Sequence, residues 1–88
     1  MLKIVFSKVA EKDLTKIDKF IAQRIFKKIF WLAESSEFIN HEQLSAQFKS
    51  FYKLRVGEYR VIYTIEKDNT DLILIHMIGH RSEIYKMK

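Results

Sequence analysis

An α+β fold, ordered strand, helix, helix, strand, strand, strand, is predicted by three features of these 88 residues. Apolar side chains recur at helical spacing through the first third of the chain, change to a period of two after residue 50, and are interrupted there by two polar connections of hairpin length. The expected architecture is an N-terminal strand, a two-helix hairpin and then a three-stranded antiparallel sheet, forming one domain over residues 1–88.

Leu2 to Phe6 alternate as a short strand, and Ser7 stands where a helix N-cap belongs, with Glu11 in the first turn. The spacing of Val9, Ala10, Leu14 and Ile17 predicts a first helix over Lys8 to Ile17, and Asp18 can end it and cap the next. From Lys19 to Ala33 the apolar positions are too many for a narrow stripe: at about 100° per residue they cover roughly half the helix circumference. Gln23, Arg24, Lys27, Lys28 and Glu34 form the opposite, wet face, with Trp31 among them. Packing on both the sheet and the first helix accounts for the wide apolar face, and a partner's helix is the second use for it.

Ser35 to Gln47 shows no sustained period and reads as a loop with a short turn around His41 to Leu44. Strands follow at Phe51 to Val56, Tyr59 to Ile65 and Leu72 to Ile78. Gly57-Glu58 and the polar run Lys67 to Asp71 connect them as hairpins.

Composition bounds the function. Hydrophobic residues make up 48%, ample for a core, and the 31% charged residues argue against a membrane span. There is no cysteine, so neither disulfides nor thiolate metal sites are possible, which fits a reducing cytoplasm. The N-terminal apolar run is too short and too soon interrupted by charge for a signal peptide. A net charge of +5 draws polyanions, nucleic acid first among them. His41 and His76 stand isolated, with His76 expected to be a hydrogen-bonded strand residue, so neither a metal nor a cofactor is expected.

Alternation gathers the candidate chemistry on one side of the sheet. Lys53 and Arg55 share a face with Phe51, and Arg60, Ile62 and Thr64 fall beside them across the tight turn. Like charges so placed repel, a cost that phosphate binding would offset. After Gly79, which permits a close backbone approach, His80, Arg81 and Tyr85 crowd into a few residues. Histidine moves protons near neutral pH, arginine grips a phosphate with two donors, and tyrosine stacks on a base.

The segment from Phe51 to Tyr63 resembles the central hairpin of the RelE/ParE toxin superfamily, and Ile78 to Tyr85 resembles the closing motif of its RelE branch. The resemblance covers nearly the whole chain. It implies a type II toxin, silenced by a cognate antitoxin protein, that enters the decoding site of the small ribosomal subunit and cuts mRNA without a metal. Residue by residue, Lys53, Arg60, Arg81 and Tyr85 match catalytic positions and Arg55 a basic one beside them, while His80 and Lys86 are expected to bind RNA from their place in the tail. Where the pattern can carry two lysines, this chain has Lys53 and Arg55; arginine stays charged, which leaves Lys53 to exchange a proton. A ParE-like inhibitor of DNA gyrase, or an inactive relative that only binds RNA or antitoxin, is the alternative.

Overall fold

The computed structural model describes residues 1–68 and 71–87. The chain runs β1 (Lys3–Phe6), α1 (Lys8–Thr15), α2 (Lys19–Ser35), β2 (Glu42–Ser45), β3 (Phe48–Val56), β4 (Tyr59–Glu66) and β5 (Leu72–His80), then a 3₁₀ turn at Ile84–Met87. The α+β class and the order of its main elements are as the sequence predicts. Asn69 and Thr70 of the second expected hairpin connection lie outside the described residues.

Both helix starts follow the expected capping chemistry. Ser7 Oγ accepts from the Ala10 N–H at 3.0 Å, and Asp18 Oδ2 accepts from the N–H groups of Phe20 and Ile21 at 3.0 and 3.4 Å. Each bond satisfies a donor that the helix itself leaves unpaired.

The strands form one sheet in the order β1-β5-β4-β3-β2. β1 pairs parallel with β5, with Lys3 opposite Leu72 and Phe6 opposite Ile75. Beyond Phe6 the edge of β5 is covered by α1 and the residue before it. Ser7 N–H donates to the Ile75 carbonyl at 2.9 Å, Ser7 Oγ donates to the His76 carbonyl at 2.8 Å, and Asp13 Oδ2 accepts from the Ile78 N–H at 2.9 Å. An open strand edge is thereby closed by one backbone and two side-chain bonds rather than by another strand.

The connection from Ser35 to Gln47 is not a plain loop, and this corrects the sequence reading. It contains β2, which pairs antiparallel with β3 through Glu42 opposite Lys53 and Gln43 opposite Tyr52. The antiparallel portion therefore has four strands rather than three, and β3 begins at Phe48 rather than Phe51. An edge strand reading Glu-Gln-Leu-Ser carries one apolar side chain, so hydrophobic alternation cannot reveal it.

The core lies between the helices and one sheet face. Ile25, Ile29, Leu32 and Ala33 of α2 and Ala10 of α1 meet Leu54, Val56, Val61, Tyr63, Ile73, Ile75 and Ile78. Each large aliphatic side chain buried here stabilises the fold by roughly 1.5–3 kcal/mol before chain entropy is counted. The wide apolar face of α2 is only partly used, since Phe20, Phe26 and Phe30 remain exposed, as does Trp31 on the wet face.

Candidate active site

The β3–β4 hairpin sets the register of the site. Its two-residue turn, with Gly57 at φ 59°, places Val56 opposite Tyr59 and Arg55 opposite Arg60. Because Leu54, Val56, Val61 and Tyr63 face the core, Lys53, Arg55, Arg60 and Ile62 must face the other way. The two guanidinium groups accordingly share the face of the sheet that the helices leave open.

Arg60 is 7% exposed, and its Nη1 donates to the carbonyls of Gly57 and Tyr59 at 3.0 and 2.9 Å. Those bonds fix the plane of the guanidinium while leaving its other donors for a ligand. On β5 the residue opposite Arg60 is Gly79. A Cβ there would come within 3.0 Å of Ile84 Cδ1, so the missing side chain gives Ile84 room to pack where the C-terminal turn folds back onto the sheet. Ile84 is buried, and this carries Tyr85 to the cationic face.

Arg81 is placed by two contacts with the hairpin turn. Its N–H donates to the Glu58 carbonyl at 2.8 Å, and its Nε lies 2.8 Å from Glu58 Oε2 in an exposed ion pair. Arg55, Arg60, Arg81, Ser82 and Tyr85 together line an open depression of about 480 Å³. Lys53 adjoins it, with Nζ 5.5 Å from the centre of the Tyr85 ring. Three arginines, a lysine and a tyrosine from β3, β4 and the C-terminal turn thus converge on one surface. Such a set can hold a phosphodiester by several donors and stack a base beside it.

Set against known proteins, the chain matches the family model described as ParE toxin of type II toxin-antitoxin system, parDE, over residues 4–85. The chain is a type II toxin of the RelE/ParE superfamily. No curated protein matches it. Solved structures similar to this toxin include the RelBE2 toxin–antitoxin complex of Mycobacterium tuberculosis, at 23% identity and a TM-score of 0.78, covering 91% of this chain and 98% of the other. The RelB–RelE complex of Methanococcus jannaschii is similar at 26% identity and a TM-score of 0.71, over 94% and 96% of the two chains. The isolated RelE toxin of Escherichia coli is similar at 21% identity and a TM-score of 0.75, over 99% and 94%.

Within the toxin, Lys53, Arg55, Arg60, Arg81 and Tyr85 are brought together, and His80 and Lys86 are not. β5 continues through Gly79 to His80, which pairs with Tyr59 and meets its ring edge-on at 5.5 Å on the helix side of the sheet. There it lines a separate depression with Ile21, Arg24, Val56, Glu58 and Tyr59. Its Nδ1 bonds Ser82, accepting from the Ser82 N–H at 3.1 Å. Lys86 sits exposed in the 3₁₀ turn and is absent from the lining of the cationic depression.

The residue that sequence reasoning missed is Glu42. It lies on β2 and takes a two-pronged bond from Arg55, Nε to Oε1 at 2.9 Å and Nη2 to Oε2 at 2.8 Å. Lys53 Nζ is 3.4 Å from the same Oε2. Hydrogen bonding to Arg55, ahead of the opposing effect of desolvation and the added pull of Lys53, brings the Glu42 carboxyl down to about 2. Its neighbour His41 anchors the strand. His41 Nδ1 is 2.6 Å from Tyr63 Oη and Nε2 is 2.8 Å from the Ser36 carbonyl. Burial, reinforced by Tyr52 and Glu42, pushes the Tyr63 hydroxyl well above its usual range, so it stays protonated and donates to Nδ1. With Nδ1 accepting, Nε2–H donates to the Ser36 carbonyl.

His76 is a half-buried strand residue, as expected, with Nε2 2.9 Å from Thr64 Oγ1. It sits at the register shift between β4 and β5. Burial lowers its pKa from the usual histidine value. Beside the cations, Phe48, Phe51, Ile62, Met77 and Tyr85 line an apolar trough of about 440 Å³ that His76 also borders. Among the described residues, no group of three or more histidines and carboxylates is placed to hold a metal ion.

Proposed function

We propose that this toxin is a ribosome-dependent endoribonuclease that cuts mRNA in the decoding site of the small subunit and so stops translation. The observation that carries the reading is the meeting of Arg55, Arg60, Arg81 and Tyr85 around one depression, with Lys53 beside it. The side-chain roles follow from this geometry and from the RelE-like closing motif. Throughout, 1–88 acts as one toxin domain.

In the reaction, the 2′-hydroxyl of the RNA attacks the adjacent phosphorus and displaces the 5′-oxygen. The products are a 2′,3′-cyclic phosphate and a free 5′-hydroxyl, so the proton lost by one oxygen is matched by the proton gained by the other. Arg60 and Arg81 hold the phosphoryl oxygens as charge builds on them. Lys53 is the group in the cluster able to take or give a proton. Tyr85 stacks on a base and holds the chain in line, and Arg55 binds a flanking phosphate. No metal or cofactor is called on, and the ribosome supplies the alignment of the substrate.

A cognate antitoxin silences the protein. Two surfaces suit it: the exposed Phe20, Phe26 and Phe30 of α2, and the trough beside the cations. The site of action is the cytoplasm; no helix among the described residues is long and apolar enough to cross a membrane.

A second reading, inhibition of DNA gyrase, is favoured by the ParE description of the matching family model. Primer extension on ribosome-bound transcripts after induction separates the two. Cuts within codons support the nuclease, and DNA damage with intact transcripts selects the gyrase reading.

A further inference from the structure

Beside the cations the open face of the sheet turns apolar. Lys53 stands opposite Ile62 and Ile62 opposite Met77, so the row that starts at Lys53 continues across the sheet as apolar side chains. On β5 the pairing with β4 shifts after Ile62: Met77 faces Ile62 and Ile75 faces Tyr63, which leaves His76 as the extra residue of a bulge. Ile75 and Ile78 both point into the core. The two residues between them, His76 and Met77, both line the trough on the other face. A regular strand would turn one of the pair toward the helices. The bulge is therefore what sets a histidine ring among apolar walls.

That ring lies 5.0 Å from Phe51, tilted, and Phe51 in turn meets Phe48 edge-on at 6.2 Å. His76 Nε2 is 2.9 Å from Thr64 Oγ1, whereas Nδ1 has no partner among the described residues. Burial holds the imidazole below its usual pKa, so near neutral pH it is uncharged. Nδ1 then donates or accepts according to which way the Thr64 hydroxyl points.

Tyr85 lines both this trough and the cationic depression, which makes the two surfaces continuous. A chain with charge along its backbone and flat rings at its side matches such a pair of surfaces, phosphate on the arginines and ring in the trough. An apolar side chain of the antitoxin can cover the same walls, but it would leave the His76 nitrogen unpaired. That nitrogen favours a ring with a polar edge.

We infer that the trough is a nucleobase subsite: the base next to the scissile phosphate leaves the RNA stack, enters beside Tyr85 against Phe51 and Met77, and has its edge read by His76. This rests on the reading of the toxin as an RNA-cutting enzyme. It adds the side chain that sets the preference for one base over another at the cut.

The test adds an RNA tetranucleotide with 2′-fluoro riboses, which cannot be cut, to the full chain and follows the Met77 methyl and His76 ring signals by NMR. The base-bearing tetranucleotide shifts both, and its fully abasic counterpart leaves both in place. On ribosomes programmed with mRNA, one abasic position at the cut slows the wild-type protein about tenfold. Phe51→Leu cuts the intact message more slowly by about the same factor and loses little more on the abasic one, because the ring that the base would meet is already gone. His76→Phe changes the order in which the four bases at that position are cut, and His76→Gln, which keeps a polar edge, changes it less. Shifts that do not depend on the bases, or a full abasic penalty in both Phe51→Leu and His76→Phe, overturn the inference. So does loss of antitoxin affinity in these variants with the base preference of wild type, which assigns the trough to the antitoxin. If the base-dependent shifts hold while ribosome-bound transcripts stay uncut, the nuclease reading falls and the base subsite stands.

Discussion

Arg60 stands in register with Arg55 across the β3–β4 hairpin, and of the two only Arg55 has a carboxylate partner among the described residues. The buried guanidinium is held by backbone carbonyls, which orient it without neutralising it. A charge kept in place this way is ready for an anion from outside the chain.

Arg60→Ala should therefore reduce mRNA cleavage by about 10²–10³-fold, as loss of one oriented oxyanion donor does elsewhere. Arg60→Lys should recover little, since an ammonium cannot both bond the turn carbonyls and present a planar pair of donors. Primer extension with equal amounts of folded protein measures this. A lysine variant as active as wild type would show that charge alone suffices.

Glu42 gives the fold a pH dependence whose sign is set by Arg55. Its folded-state carboxyl titrates at about 2 against an ordinary 4.5, so the stabilisation is complete above 4.5 and is lost as pH falls through about 2. Urea denaturation of wild type and Glu42→Gln should differ most near neutrality and converge toward pH 2. The gap should be small, because the pair is exposed to solvent screening. Curves that stay parallel throughout would take Glu42 out of the stability of the folded state.

Ile84 ties the C-terminal turn to the sheet. Removing its buried side chain in Ile84→Ala should cost about 2–4 kcal/mol by chemical denaturation. It should also lower cleavage, since Tyr85 loses its seat. Gly79→Ala presses a methyl group against the far end of Ile84, which can turn aside, so its cost should be nearer 1 kcal/mol. The reverse ranking would mean that Gly79, not Ile84, governs the turn.

Tyr63→Phe should cost about 1–2 kcal/mol, because the half-buried His41 Nδ1 loses its donor. The same change loosens the start of β2 and with it Glu42. Faster amide exchange at Glu42 and Gln43 is the expected sign, and unchanged exchange would show that β2 holds itself in place.

Much of this arrangement is legible in local chemistry. Ser7 and Asp18 announce the helix starts, and a two-residue turn at Gly57-Glu58 leaves one pairing for Arg55 and Arg60. Glu42 is not legible, because its partners lie eleven and thirteen residues away across a strand pairing that its own sequence does not advertise. His80 misleads for a different reason. Gly79 suggests the end of the strand, but pairing persists to His80, and strict alternation carries that ring to the same side as Ile78 and away from the arginines.

The parallel pairing of β1 with β5 joins pieces of chain about seventy residues apart, Lys3 with Leu72. During synthesis the outermost strand has no neighbour to dock on until nearly everything else has been made, and long-range closures of this kind are slow to form. The cationic depression, which needs Arg81 and Tyr85 from beyond β5, comes into being only after that closure is possible. On the proposed function, a half-made chain has no cutting surface to turn on the ribosome that is making it.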